Sequence, residues 1–234
     1  MIKADEPGKY LAIKGLKKIL VKAKHIIYFC VFPSRGGLSL AESAGEASLG
    51  LCPLCRRGDL RLSHAEEDLP GYGRVLLLTY KCEACGYKAN DLIPLESRQP
   101  ASYKAKIESV EDLKVKVVRA SSGFIEIPEL GVEIKPGPAS EGYITNVEGL
   151  LVRIEEAAST LKGEGEAKGN LKAFLERLER AMRGDEAFTV IVKDPFGSSA
   201  LLSEAPGKVE KQLLSREEAE RLRRELVGVA LEYR

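Results

Sequence analysis

Two Cys-x-x-Cys pairs, Cys52-Pro53-Leu54-Cys55 and Cys82-Glu83-Ala84-Cys85, stand 26 residues apart and constrain this chain more than any other feature. Two knuckles at such spacing can close one tetrahedral site, so they predict a zinc ribbon with Cys52, Cys55, Cys82 and Cys85 as the ligands of Zn2+. The ligands bind as thiolates, and closing the loop organises a segment too poor in apolar residues to fold alone. Four thiolates leave no open position for water, so the metal is expected to be structural rather than catalytic. The alternative, two disulfides, needs an oxidising compartment to which nothing else in the chain points.

One rival reading uses the same region. His64-Ala65-Glu66 ahead of Cys82-x-x-Cys85 superficially matches the H-x-E…P-C-x-x-C signature of zinc deaminases. Lys81 stands where that signature has proline, and Cys52 and Cys55 would have no role, so the reading is set aside and His64 is expected to be exposed within the zinc loop. The other histidine, His25, lies in a Lys-rich stretch, and the fifth cysteine, Cys30, has no knuckle partner and reads as a buried or incidental thiol.

With 234 residues, 44% of them hydrophobic and 30% charged, the chain can bury one large core or two small ones. Its longest apolar run, Ile26 to Phe32, stops at Pro33, far short of the roughly 18 residues of a membrane span. A cytoplasmic protein is expected. The net charge is +1, and the 8 Lys/Arg of residues 1–50 face only 4 Asp/Glu, so the remainder is slightly acidic and offers no stripe for nucleic-acid phosphates. Asn and Gln are scarce while Lys, Arg and Glu abound, a bias expected of a heat-adapted source.

Periodicity divides the chain into four stretches. Residues 1–48 combine a loosely helical, Lys-studded segment (Tyr10 to Lys24) with a Gly/Ser/Ala-rich linker and form a mobile extension. The zinc ribbon covers 49–97, with a strand at Arg74–Tyr80. Residues 98–205 form a β-rich domain, whose Ser102–Ile107, Leu113–Val117, Phe124–Ile127 and Gly131–Lys135 alternate apolar and charged residues at period 2. Within it the period becomes helical at Val147–Leu161 and again at Leu171–Met182, which predicts a helical hairpin over about 146–184 before a strand at Ala187–Lys193. Residues 206–234 are read as a C-terminal helix opening on the capping box Ser215-x-x-Glu218.

Six motifs in this order carry a family resemblance: Cys52-x-x-Cys55, Cys-Glu-x-Cys-Gly-Tyr-Lys (82–88), Arg119-x-Ser-Ser, Ile127-Pro-Glu-Leu130, Val147-Glu-Gly-Leu-Leu151 and Phe188-Thr-Val-Ile-Val-Lys-Asp-Pro-x-Gly197. Over roughly residues 50–203 the chain resembles the ZPR zinc-finger family, in its single-module archaeal form. The resemblance implies a mostly β fold with α: a four-cysteine zinc ribbon joined to a double-stranded β-helix-like, jelly-roll-like domain with an inserted helical hairpin. Two departures stand out. Family modules of this type usually carry Gly directly after the first knuckle, where this chain has Arg56-Arg57-Gly58, and the family's Asp-Pro-x-Gly-Asn-Ser reads Asp194-Pro-Phe-Gly-Ser-Ser199.

The resemblance further implies a binding role without enzymatic activity, namely association with translation elongation factor one-alpha and assistance in its folding. No G-x-x-x-x-G-K-[ST] motif is present, so any GTP dependence lies in the partner. The exposed faces of the hairpin, with Arg153, Glu156, Glu176 and Arg180, are the candidate partner surface. Two other readings are carried forward. A nucleic-acid-binding ribbon draws on Arg56, Arg57, Arg61 and Lys81, offset by Glu66, Glu67 and Asp68 in the same loop. An enzyme on a β-roll would need Glu129, Glu148 and Asp194 to converge, whereas Glu129 and Glu148 can equally brace turns.

Overall fold

A computed structural model describes residues 9–13, 19–21, 45–137, 140–160 and 166–232. Every strand pairing in it is antiparallel. Strands β1 (Lys9–Ile13) and β2 (Ile19–Val21) precede β3 (Gly45–Leu51), β4 (Asp59–Leu69), β5 (Gly73–Cys82) and β6 (Tyr87–Pro94), of which the last four form a meander in chain order. This is the ribbon.

The β domain follows with β7 (Ala101–Ile107), β8 (Lys116–Arg119), β9 (Phe124–Ile127), β10 (Val132–Lys135) and β11 (Tyr143–Asn146), then α1 (Val147–Ser159) and α2 (Glu166–Met182), and finally β12 (Phe188–Asp194), β13 (Ala200–Leu202), β14 (Val209–Leu213) and α3 (Arg216–Glu232). One sheet has the order β14-β7-β12-β9-β10-β1-β2 and the other the order β11-β8-β13, so the chain crosses repeatedly between two sheets, as a jelly roll does. Alternation explains the packing: Ala101, Tyr103, Ala105 and Ile107 of β7 are buried while Lys104 and Lys106 face solvent. Val190 and Val192 from β12 and Ile125 and Ile127 from β9 share one core with Val117, Val118 and Leu201 from the smaller sheet.

The helical hairpin lies between β11 and β12, as its period implied. Asn146 caps α1 by accepting a 2.8 Å hydrogen bond from the Gly149 amide. Val147, Leu150, Leu151 and Ile154 form the buried stripe of α1, which meets Phe174, Leu178 and Ala181 of α2 in the main core. Leu161 lies outside the described residues, as do Cys30 and His25.

Several expectations are corrected. The helical reading of Tyr10–Lys24 gives way, where that stretch is described, to β1 and β2, which pair with each other and add to the edge of β10. An edge strand offers unpaired backbone groups, and the β-prone residues Tyr10, Leu11, Ile13, Ile19 and Val21 satisfy them better than an isolated helix would. The ribbon sheet begins at Gly45, inside the stretch read as linker. Leu113–Val117 is no single strand: Asp112 accepts hydrogen bonds from the Glu108 and Ser109 amides at 2.9 and 3.1 Å and winds Val110–Lys114 into a 3₁₀ turn, leaving the strand to begin at Lys116. Val209–Leu213 is strand β14 beside β7, so only the part from Arg216 is helical. There Ser215 and Glu218 do form the reciprocal capping box, each backbone amide bonded to the other's side chain at 3.2 Å.

The ribbon and the β domain are joined by more than their linker. Val75 and Leu92 from the ribbon belong to the main core, with Leu69 and Leu77 packed against it. Tyr72, at the tip between β4 and β5, is only 4% exposed and donates a 2.7 Å hydrogen bond to the Ser198 carbonyl. Burial pushes its phenol up to about 12, which keeps it a donor. Asp91 of β6 accepts from the Ser121 amide and hydroxyl at 3.4 and 3.2 Å, and the Gly142 amide donates to the Asn90 carbonyl at 3.0 Å.

Candidate metal centre

The four knuckle cysteines meet at the end of the ribbon remote from Tyr72. Each pair sits on a turn of the same design. In the first, the Cys52 amide donates to the Gly58 carbonyl at 2.7 Å and the Arg56 amide to the Cys52 carbonyl at 2.8 Å; in the second, the Gly86 amide donates to the Cys82 carbonyl at 2.9 Å. The residue after each second cysteine closes the turn with a left-handed backbone, φ +50° at Arg56 and +73° at Gly86. Glycine adopts this conformation without steric cost, whereas arginine does not. At the first knuckle, then, Arg56 occupies a position whose backbone favours glycine, as Gly86 does at the second.

The sulfurs of Cys52 and Cys85 are 3.9 Å apart, those of Cys55 and Cys82 3.8 Å, and all four lie within 4.8 Å of one another. A tetrahedron with Zn–S bonds of about 2.3 Å has edges of about 3.8 Å, so the donor set fits zinc. The spacing is nearly twice a disulfide bond of about 2.05 Å, and the four thiols are free. Cys52 and Cys82 are fully buried with Leu60, and Leu54, Tyr80 and Tyr87 pack around them. Backbone amides of Arg57 and Gly58 hold the Cys55 thiol down at about 6. The Tyr87 amide draws Cys85 down as well, but burial and the neighbouring thiols outweigh it and push Cys85 up to about 12. With Cys85 held that high, the protein alone does not keep it as a thiolate at neutral pH. A divalent cation supplies the missing positive charge when bound. These cysteines are the only metal-suited cluster among the described residues.

His64 takes no part. It is half-buried in the middle of β4, pairing across to Gly45 and Leu78, and Leu78 stands four residues before Cys82, about 13 Å along the strand. The basic residues of the ribbon are partly neutralised: Arg61 pairs with Glu46 at 3.4 Å and Lys81 with Glu83 at 2.7 Å, while Arg56 and Arg57 are exposed at the metal end.

The candidate enzyme carboxylates do not converge. Glu129 accepts hydrogen bonds from the Thr189 amide at 2.9 Å and its hydroxyl at 2.8 Å, a brace. Asp194 lies at the opposite end of β12, about 17 Å further along, and Glu148 is exposed in the first turn of α1. Asp194 is instead the centre of a buried polar cluster, which sequence spacing did not reveal. Fully buried, it accepts from Ser199 Oγ at 2.5 Å, from Ser122 Oγ at 3.0 and 3.1 Å and from the Phe196 amide at 2.8 Å, and Ser199 Oγ in turn accepts from the Ala120 amide at 3.0 Å. Beside it the buried Arg119 donates to the carbonyls of Gly123 and Glu141, both at 3.0 Å, and to Ser140 Oγ at 3.2 Å. The Arg119-x-Ser-Ser and Asp194-Pro-x-Gly motifs are thus two halves of one hydrogen-bonded joint. Their order in the sequence was the available signal; their contact was not.

The four hairpin residues are all exposed. Arg153 lies over the Tyr143 ring with its guanidinium carbon 4.6 Å from the centroid, Glu176 is 3.7 Å from Lys172, and Arg180 shares Glu186 with Arg177. Glu156 forms no ion pair among the described residues, so of the four it is the freest to meet a partner.

Comparison with known proteins agrees with this architecture. A family model of the ZPR1 jelly-roll domain matches residues 111–226. An uncharacterized ZPR1-like protein of Methanocaldococcus jannaschii is 43% identical over 180 residues, covering 75% of this chain and 89% of the relative. A second, from Pyrococcus horikoshii, is 37% identical over 205 residues, covering 82% of this chain and 91% of the relative. The zinc finger chaperone zpr1 of Schizosaccharomyces pombe is 30% identical over 146 residues, which cover 57% of this chain but only 31% of that longer protein. With four thiols at zinc spacing on a ribbon locked to a jelly roll, and two relatives matched over 89% and 91% of their own length, the chain belongs to the ZPR1 zinc-finger family.

Proposed function

We propose that this protein is a zinc-stabilised chaperone module that binds translation elongation factor one-alpha in the cytoplasm and assists its folding, with no chemistry of its own. The observation that carries the reading is the similarity, over 57% of this chain, to a relative named as a zinc finger chaperone. The architecture is compatible with it. A ribbon fixed by zinc at one end and by Tyr72 and Asp91 at the other is a rigid surface, and rigid surfaces lose little entropy on binding. The reducing cytoplasm keeps the four thiols available to metal.

The test is a titration of the zinc-loaded protein against the elongation factor in its GDP-bound, GTP-bound and partly unfolded forms, across salt concentration. A complex favouring the GDP-bound or partly unfolded form supports the reading. The exposed Arg56 and Arg57 favour a second one, a nucleic-acid ribbon, which would instead give sub-micromolar RNA binding with a steep log–log salt slope and no elongation-factor complex.

A further inference from the structure

We propose that the cleft between the ribbon tip and the jelly roll is a binding site for an acidic peptide segment of a protein partner, with apolar side chains interleaved among its carboxylates. The cleft has a volume of about 820 Å³, within the range of about 300–1,000 Å³ of ligand sites, and it lies between two units, where such sites concentrate. Its lining is more apolar than polar, with Tyr103, Val115 and Leu201 contributing, and the Pro70–Tyr72 tip closes one side.

The charges around it are unbalanced. On the 3₁₀ turn, Lys114 is paired with Glu111, and Asp112 is paired with Lys208 at 2.7 Å, so these cancel. Three cations remain that form no ion pair among the described residues: Arg98, Lys116 and Lys211. Only Glu204 opposes them in the lining. Lys211 is held over the Tyr103 ring, 5.6 Å from its centroid, and Arg98 is stacked on Tyr72 at 3.8 Å, so both are presented in fixed positions. Arg98 donates a single hydrogen bond, to the Tyr72 carbonyl, and its buried Nε has no acceptor. A guanidinium with most of its five donors unused, two lysines and an apolar floor are complementary to carboxylates alternating with apolar side chains. The proposal goes beyond the elongation-factor reading and does not depend on which protein supplies the segment.

The experiment is fluorescence anisotropy with full-length, zinc-loaded protein and a fluorescein-labelled heptapeptide alternating glutamate with phenylalanine and leucine. Comparators are heptaglutamate, the peptide with lysine in place of glutamate, and labelled oligouridylate. The expected result is saturable binding of the alternating acidic peptide alone, at least about tenfold weaker in K116E/K211E and unchanged in K104E, whose lysine is on the opposite face of the sheet. K116A/K211A serves as the milder pair, and far-ultraviolet circular dichroism verifies the fold of each variant. Absence of saturable binding, equal binding of heptaglutamate or oligouridylate, or indifference to both lysine pairs overturns the proposal. Loss of elongation-factor binding with the peptide result intact would refute only the preceding reading.

Discussion

Replacing Gly58 by alanine probes the metal centre without touching a ligand. A Cβ at Gly58 would stand 2.4 Å from the Ala84 Cβ and 3.0 Å from the Cys82 sulfur, so the first knuckle approaches the second only because residue 58 has no side chain. Carbon atoms rest at about 3.5–4.0 Å, and the two knuckles must therefore separate by about 1 Å. A metal site tolerates about 0.2 Å in its bond lengths, and sulfurs now 3.8 and 3.9 Å apart would be drawn off the tetrahedron. Overpacking of this kind costs about 1–3 kcal/mol, which is roughly five- to 150-fold in zinc affinity. Competition against a chromophoric chelator at fixed pH measures it directly. Adding A84G to the G58A protein removes the 2.4 Å contact and should recover most of the loss, although the approach to Cys82 remains. Zinc affinity within twofold of wild type in the G58A protein would refute the argument that the knuckles touch through this residue.

Four further outcomes are expected. R56G relieves the φ of +50° at the first knuckle, and after the flexibility that glycine adds to the unfolded chain it should stabilise the protein by about 0.5–1 kcal/mol in chemical denaturation. G197A combines a φ of +75° with a Cβ 2.3 Å from the Gln99 carbonyl oxygen, and should cost about 2–4 kcal/mol in the same assay. Chelation of zinc should abolish amide-exchange protection around residues 52–60 and 80–87 while sparing Val75 and Leu92, which belong to the main core. Hydrogen bonds from Arg177 and Arg180 lower the Glu186 carboxyl below its usual 4.5, so its stabilisation is present above that pH and is lost as pH falls through the lowered value; E186Q should flatten that part of the acid unfolding curve.

The cysteine ligands and several strands could be read from the chain because their determinants are local. Knuckle spacing is set within four residues, period-2 alternation marks Ala101–Ile107 because that strand has one face in a core, and Phe188–Asp194 shows instead as a short apolar run that is buried along most of its length. The helical hairpin is legible for the same reason at period 3.6. Strand β4 is not: His64-Ala65-Glu66-Glu67-Asp68 has the composition of a loop and becomes a strand because β3 and β5 supply hydrogen-bond partners on both sides. The jelly roll's two motif halves are likewise silent until folding carries Ser122 to Asp194, 72 residues away. The cleft between ribbon and β domain has no sequence signature either, since Arg98, Lys116 and Lys211 come from three separate segments. What the amino-acid order alone determined was the four-cysteine donor set and the run of strands and paired helices, both built from short-range spacing. Which buried groups meet, and which cations are left facing a cleft, was decided by tertiary packing, because those partners are distant in the chain and only burial in a common core brings them within bonding distance.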